Sequence, residues 1–350
     1  MASTKFCVSL TLVLVFAIAA CSFSHGTAAR SQPEASMRRM FKEWMKRNGR
    51  LYGTLAERMH RFRIFKSNVK FIHAFNRARD KSYNLSVNQF ADLTNQEFKA
   101  SRNGFNKHSH HKMGGTTAST PFRYQNATPP TSIDWRKNGA VTPIKDQGQC
   151  GCCWAFSAVA AMEGITKLSA GNLISLSEQE LVDCDRNGED QGCEGGLMDN
   201  AFQFIQHNGG LTTEADYPFV GADGTCDTNA TSGHSAAAAT IGGYEDVPAN
   251  SEESLMKAVA NQPVSVAIDA SGSGFQFYSS GVFAGECGTD LDHGVTAVGY
   301  GTTEDGTEYW LVKNSWGLSW GEEGYVRMKK DVGAAEGICG IAMQASYPTA

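Results

Sequence analysis

The cysteines constrain this chain more than any other feature. Cys7 and Cys21 stand near the start, none follows until Cys150, and eight then fall between Cys150 and Cys339. Three of them, Cys150, Cys152 and Cys153, crowd into QGQCGCCWAF, residues 147–156. What a cysteine does depends on its compartment. The N-terminus has a positive start at Lys5, an apolar run through Phe16 to Ala20, and small residues up to Ala28 and Ala29, which is the pattern of a cleaved secretory signal. The apolar run is about a dozen residues, short of the roughly 20 that a spanning helix needs. No later stretch is long and apolar enough to span, and the C-terminal Ser-Tyr-Pro-Thr-Ala is no ER-retention signal. Residues 1–29 are therefore read as a removed signal, with no membrane anchor. The eight remaining cysteines suit either four bridges or three bridges and two free thiols.

Charge divides the rest of the chain. Residues 30–127 carry 20 Lys+Arg against 6 Asp+Glu, a balance of +14, whereas residues 128–350 carry 10 against 30, a balance of −20. A basic half invites nucleic acid, but this one has no reader motif, and its nearest acidic partner is the other half of the chain. Within it Glu57, Arg61, Phe65, Asn68, Ile72 and Asn76 recur at spacings of three and four with no Gly or Pro between them, so they share one stripe of a long helix. A helix that merely faced a core would explain Phe65 and Ile72 but not four polar residues beside them. Phe41, Trp44 and Met45 predict a shorter amphipathic helix upstream. The stretch NGFNKHSHHKMGGTTAST has little to bury, and residues 99–127 read as an exposed linker, with His108, His110 and His111 solvated rather than holding a metal.

Beyond the linker the texture changes. CWAFSAVAAMEGITKL, with Val159, Met162, Ile165 and Leu168, predicts a buried helix that stops at Ala170-Gly171. Ser177 with Glu180 has the spacing of a capping box opening a short helix toward Cys184. From Pro263 onward VSVAI, GVTAVGYG, EYWLVKN and GYVRMKK alternate with Gly-containing turns, as strands do. A helical part thus precedes a β part, and their junction offers a cleft.

Cys150 and Cys153 form a C-x-x-C, but an exported chain without a βαβ setting argues against a thioredoxin-like pair, and the other cysteines are too scattered for zinc. Nucleophilic catalysis makes stricter demands: a thiol with lowered pKa at a helix N-terminus or beside an imidazolium. Cys153 opens the Ala-rich helix. Of His207, His234 and His293, the histidines of the acidic half, the first two sit in turn-like settings and His293 starts a buried strand.

QGQCGCCWAF, LDHGVTAVGYG and VKNSWGLSWGEEGYVRM resemble the three active-site blocks of papain-like cysteine proteases, with His293 140 residues beyond Cys153 and Asn314 another 21. The stripe from Glu57 to Asn76 and the motif SVNQFAD resemble the inhibitory propeptide of that family, so the likeness covers almost everything after the signal. It implies an α+β fold of two subdomains, a helical left one and a β-barrel-like right one with the active-site cleft between, preceded by a helical inhibitory propeptide. The implied divisions are a signal at 1–29, a propeptide at 30–127 with its helical inhibitor domain at about 41–98, and a mature peptidase at 128–350.

The resemblance makes Cys153 the nucleophile, His293 the acid and base, Asn314 the residue that orients the imidazole, and Gln147 an oxyanion donor, with Trp316 shielding the Asn314–His293 bond. It places Gly195, Gly196, Leu197, Met198, Ala267, Leu291, Gly294 and Trp316 at the substrate, with an apolar preference two residues before the cut and Gln344 near the pocket floor. It pairs Cys150 with Cys193, Cys184 with Cys226 and Cys287 with Cys339, leaving Cys152 and Cys153 free. Two positions depart from the family pattern: Cys152 stands where Ser is usual, as in a plant subgroup associated with senescence, and Ser86 stands where the propeptide motif has Gly. The implied partners are protein and peptide substrates, the chain's own propeptide as inhibitor, and cystatin-type inhibitors. The expected enzyme is a monomer without cofactor or metal in a vacuole or lysosome-like compartment, or else extracellular, with glycosylation sequons at Asn84, Asn126 and Asn229. A silent relative on the same fold would lack one of Cys153, His293, Asn314 and Gln147. A thiol-disulfide oxidoreductase would need Cys150 unbridged.

Overall fold

The computed structural model describes residues 34–78, 81–105, 122–186, 188–227 and 237–350. The signal sequence, His108, His110, His111, Asn229 and His234 lie outside the described residues. The described residues divide into two compact units, one ending at Lys70 and the other beginning at Phe71.

In the first unit, helix α1 (34–47) meets the first turns of α2 (Leu55–Arg77). Their apolar residues form an aromatic cluster: Phe41 lies 5.1 Å from Phe65 and 5.4 Å from Phe62, and Trp44 lies 5.3 Å from Phe65, ring centre to ring centre. Such tilted pairs are the favoured aromatic arrangement. Lys66 and Glu34 close the pair of helices by an ion pair.

The second unit begins with the end of α2, where the polar stripe acquires its reason. The side chain of Asn76 donates to the Leu85 carbonyl (2.8 Å) and accepts from the Leu85 N–H (3.0 Å), so a helical amide stands in for a missing strand partner. This ties down β1 (Tyr83–Leu85), followed by α3 (Asn95–Arg102), which Thr94 and Glu97 open with a reciprocal capping box. After β2 (Ile133–Asp134) come α4 (Cys153–Ala170), α5 (Glu178–Cys184) and α6 (Met198–Asn208). Helix α4 is mostly apolar, which is why most of it lies in the interior, and Gly171 ends it in the left-handed conformation. Ser177 caps α5 by accepting from the Glu180 N–H, but Glu180 does not reach back. Its carboxylate accepts from Thr212 N–H and Asn208 instead, so the predicted box is half formed.

The remaining elements are β3 (Gly243–Asp246), α7 (Glu252–Val259), β4 (Val264–Ile268), α8 (Ser273–Gln276), β5 (Tyr278–Phe283), β6 (His293–Thr302), β7 (Glu308–Lys313), β8 (Tyr325–Lys329) and β9 (Ala345–Thr349). The nine strands pair in the order β1-β5-β8-β7-β6-β4-β9-β3, with β2 on β6. Only β5 and β8 run parallel. The order is an open path, so among the described residues the β part is a sheet and not a closed barrel. The edge at β5 is covered by β1, which leaves it no free strand edge there. Ser86 has no positive φ, so replacing the usual Gly costs no backbone strain.

Helix α4 is seated on the sheet by paired polar contacts: Ser157 donates to the Val295 carbonyl (2.6 Å), and Ser265 donates to the Ser157 carbonyl (2.9 Å). Glu163 of α4, also buried, accepts from Thr142 (2.5 Å), Lys145 (3.2 Å) and the Leu176 N–H (3.1 Å). Lys145 bonds Glu178 as well (2.7 Å), and Lys313 of β7 donates to Thr142 (2.8 Å). Removing one member of a buried charge cluster strands the others. Glu163→Ala is therefore expected to destabilise the fold by about 3–5 kcal/mol, measured by urea unfolding of the precursor.

Candidate active site

The site is assembled where the N-terminus of α4 meets the start of β6. In the register of β4 with β6, Ile268 faces His293 and Ala267 faces Gly294. The Gly294 N–H then points at the Cys153 sulfur, 3.3 Å away. A Cβ at Gly294 would meet the Met198 sulfur at 3.1 Å and the Cys153 carbonyl oxygen at 3.3 Å, so Gly lets helix and strand approach closely here.

His293 is held from the far side. Its Nε2 lies 2.8 Å from Asn314 Oδ1, which also accepts from the Ser315 N–H (2.8 Å). Because that oxygen is an acceptor, Nε2 carries the proton, and Nδ1 keeps its lone pair. Nδ1 is buried and has no hydrogen-bond partner, which leaves it available to a neighbouring thiol. Trp316 stacks on the imidazole at 4.5 Å and 25° and is itself fully buried beneath Phe90, Phe98 and Phe275. It therefore acts as a roof over the His293–Asn314 bond.

Residues 102–105 occupy the cleft. Gln147 Nε2 donates to the carbonyl of Arg102 (3.0 Å) as well as that of Cys150 (2.9 Å), while its Oε1 accepts from Ser315 (2.6 Å). The Gly196 N–H donates to the Gly104 carbonyl (2.9 Å), and Phe105 runs parallel to Gly196. Asn103 donates to the Asp292 carboxylate (2.7 Å), and the Phe105 N–H donates to the Asp292 carbonyl (3.1 Å). The sulfur of Cys153 receives the N–H of Gly104, while Gln147 grips the carbonyl of Arg102.

Burial sets the protonation states. It pushes the Cys153 thiol up to about 11, against the opposing pull of N–H groups from Gly294, Gly104 and Trp154. It pushes His293 down to about 4, with the Asn314 bond resisting. With the cleft filled, the pair is a neutral thiol beside a neutral imidazole. Cys152 precedes Cys153 at the helix cap, is sealed from solvent, and has its thiol pushed well up by burial.

The structure joins Cys150 to Cys193, Cys184 to Cys226 and Cys287 to Cys339, and leaves Cys152 and Cys153 free. Cys150 is therefore unavailable for a redox pair with Cys153. Leu197, Met198, Phe105, Met343 and Gln344 line a cavity of about 120 Å³. Ala267 and Leu291 belong to the apolar cluster behind it without lining it. Gly195, at φ +121°, turns the chain as only Gly readily does. Asn84 and Asn126 are exposed.

The exposed linker expected at 99–127 is corrected at both described ends. Residues 99–102 finish α3 and 103–105 fill the cleft. Residues 122–127 are also docked: Arg123 bonds Glu245 (2.6 and 2.9 Å), Tyr124 bonds Gln262 (3.0 Å), and the Gln125 carbonyl accepts from Lys257 (3.1 Å). Arg123, Gln125 and Asn126 stay exposed while docked, and composition hid the docking because it is made by single hydrogen bonds to partners far along the chain.

A thiol at a helix N-terminus, an imidazole oriented by an asparagine, and a cleft filled by the chain's own N-terminal segment together define a papain-type cysteine protease in its proform. The comparisons agree: residues 129–349 match the family described as Papain family cysteine protease, and residues 41–98 match the Cathepsin propeptide inhibitor domain (I29). The chain belongs to the papain family. Among relatives, senescence-specific cysteine protease SAG39 of Oryza sativa subsp. indica is 57% identical over 350 residues, covering 98% of this chain and 100% of that protein. Senescence-specific cysteine protease SAG12 of Arabidopsis thaliana is 56% identical over 320 residues, covering 90% and 91%. The crystal structure of the proform of Amb a 11, a ragweed pollen allergen, superposes with a TM-score of 0.82 at 44% identity, covering 90% of this chain and 95% of that one.

Gly104 is the residue that sequence reasoning missed. A Cβ there would lie 1.7 Å from the Gly151 carbonyl oxygen. Gly104→Ala is expected to lift residues 102–105 from the cleft. Overpacking of this kind costs about 1–3 kcal/mol, so labelling of Cys153 in the precursor by a thiol-directed epoxide should accelerate roughly tenfold, as read by mass spectrometry.

Proposed function

We propose that the mature enzyme hydrolyses peptide bonds with Cys153 as nucleophile, His293 as acid and base, Asn314 as the residue orienting the imidazole, and Gln147 as oxyanion donor. The observation that carries this reading is the buried, unpartnered Nδ1 of His293, whose Nε2 is fixed by Asn314 at 2.8 Å. Once the propeptide leaves, water and the N-terminus of α4 stabilise charge at Cys153, and Nδ1 accepts the thiol proton. The thiolate attacks the carbonyl carbon. The resulting oxyanion accepts from Gln147 Nε2, which in the precursor holds the Arg102 carbonyl, and from the Cys153 backbone N–H. Collapse breaks the C–N bond, and His293 gives its proton to the leaving amine. Water, deprotonated by His293, then cleaves the thioester and regenerates the thiol. Cys153→Ala is expected to abolish peptidase activity with the fold intact, and His293→Ala to be nearly as severe, in assays of the processed enzyme with a blocked dipeptide amide. Activity surviving in Cys153→Ala but lost in Cys152→Ala would overturn the assignment.

The cavity lined by Leu197, Met198 and Met343 favours an apolar side chain two residues before the cut, and Gln344 on its wall accommodates a polar end. Gly196, Gly294 and Trp316 complete the substrate cleft, with Ala267 and Leu291 backing its wall, and cystatin-type proteins would also block it. The mature chain starts near Pro129, after a propeptide of 30–127. Its setting is an acidic vacuole or lysosome-like compartment, entered through the secretory pathway, and its role is senescence-type protein degradation.

Acid activation is supported by the ion pairs Arg123–Glu245 and Arg102–Asp146 (3.4 Å), which tie the basic segment to the acidic body. Burial raises Glu245, but bonds from Arg123 and Tyr347 outweigh this and hold it below the usual range. A depressed carboxyl favours the docked state above its free-state pKa and loses that contribution as pH falls through the docked value. Asp292 is raised to about 6 mainly by burial, while Asn103 and Lys99 of the docked segment pull it down. Release in acid is therefore assigned to Glu245. Glu245→Gln is expected to move the onset of self-processing to higher pH, followed by N-terminal sequencing of the full-length precursor across pH 4 to 7.

A further inference from the structure

Beneath the segment from Gly195 to Leu197 lie two carboxyl groups without a counter-charge among the described residues. Asp185 follows α5, and Asp190 precedes the turn at Gly192–Glu194. Asp190 is 2% exposed and Asp185 9%. Each has its Oδ2 sealed from solvent with no donor from any other group, and the two side chains are hydrogen-bonded to each other. Two ionised carboxylates are acceptors only, so this bond needs one shared proton.

Among the described residues the surroundings offer no substitute for that proton. Arg186 is turned away to Asp223 (2.7 Å) and to the Val182 carbonyl (2.8 Å). Asp183 is engaged by Tyr217, Gln179 and the Gly224 N–H. Glu189 adds a further sealed carboxylate oxygen, Glu194 is exposed, and Asp199 and Asn200 of α6 bring no positive charge. Burial pushes Asp185 up to about 6, and burial together with Asp185 pushes Asp190 up to about 8.

The other oxygen of Asp190 faces the cleft wall. Its Oδ1 accepts from the Leu197 N–H (2.9 Å) and from Asn200 (3.1 Å). It lies so close beneath Gly196 that a Cβ there would come within 2.8 Å. Gly196 is the residue whose N–H grips the Gly104 carbonyl at 2.9 Å. Asp190 thus braces the peptide unit next to the one that holds a chain in the cleft.

We propose that Asp185 and Asp190 share a proton that keeps the Gly196–Leu197 backbone in its peptide-binding position, and that losing this proton loosens the wall and weakens substrate binding above neutral pH. The proposal rests on the reading of this cleft as the peptide site. Without the proton, two charges face each other in a dry pocket, and Asp190 relieves the repulsion only by moving, which draws Oδ1 from Leu197. Asp190 is a positioning residue in this account and touches no reacting atom. A carboxyl with raised pKa contributes its stability below the unfolded-state pKa and loses it as pH rises through the folded value, so the effect belongs to the alkaline side.

The test compares KM at pH 8.5 with KM at pH 5.5 for a blocked dipeptide amide with an apolar penultimate residue, using enzyme matured from the full-length precursor. Loss of one backbone hydrogen bond corresponds to roughly a three- to tenfold rise in KM for the wild type. In Asp190→Asn the acceptor to Leu197 is kept and a permanent donor faces Asp185, so the ratio should flatten to within about twofold. Asp185→Asn supplies the neutral partner from the other side and should flatten it too, which keeps the test open if one variant fails to fold. The pH profile of Cys153 alkylation by iodoacetamide, a reagent that needs no contact with Gly196, should be the same in all three. A KM rise undiminished in both variants, no rise in the wild type, or an alkylation profile that shifts with the mutations would overturn the proposal. Wild-type enzyme without peptidase activity at pH 5.5 would instead overturn the reading of the cleft.

Discussion

The seating of α4 on β6 is the contact on which the rest of this molecule depends. An apolar helix and an apolar strand would slide on each other if apolar burial alone held them, since that force has no direction. Ser157 removes the freedom by bonding the Val295 carbonyl, with Ser265 bonding back to the Ser157 carbonyl. Those bonds set the helix at a height where Cys153 lies under the Gly294 N–H. The cluster of Glu163, Lys145, Glu178 and Lys313 repeats the constraint deeper in the same interface. Catalytic geometry is in this sense a by-product of how two buried elements satisfy their polar groups.

The cleft-filling segment works by two physical means. It places a carbonyl in the grip of Gln147 and the Gly104 N–H against the sulfur. It also excludes water, and exclusion of water favours the neutral forms of Cys153 and His293. With the cleft filled, burial raises the Cys153 thiol and lowers the His293 imidazole, which favours the neutral form of each. Inhibition is thus both steric and electrostatic.

Pairing and burial act in opposite directions on a carboxyl's response to pH. Glu245 is held ionised by Arg123 and Tyr347, so acid weakens its contribution to docking. Asp292 is raised by burial but lowered by Asn103 and Lys99 of the docked segment. Counting charges along the sequence shows that a field exists between a basic and an acidic half, but not which carboxyl responds in which direction.

The order of elements and the buried helix ending at Gly171 were legible in the sequence because they rest on local periodicity, whereas the two free cysteines and the grouping of Cys153, His293 and Asn314 were legible only through the family resemblance. The polar stripe of α2 was legible as an anomaly, but its reason, Asn76 completing Leu85, was not. Nor were the docking of residues 103–105 and 122–127, the second partner of Glu180, the open path of the sheet, or the pairing of Asp185 with Asp190. Each of these joins atoms whose meeting depends on distances through space, and burial, which sets their protonation, exists only once the whole chain has closed around them. The sequence by itself determined which groups are present and in what order. Only the tertiary structure decided which of them are dry, which are paired, and therefore which are charged.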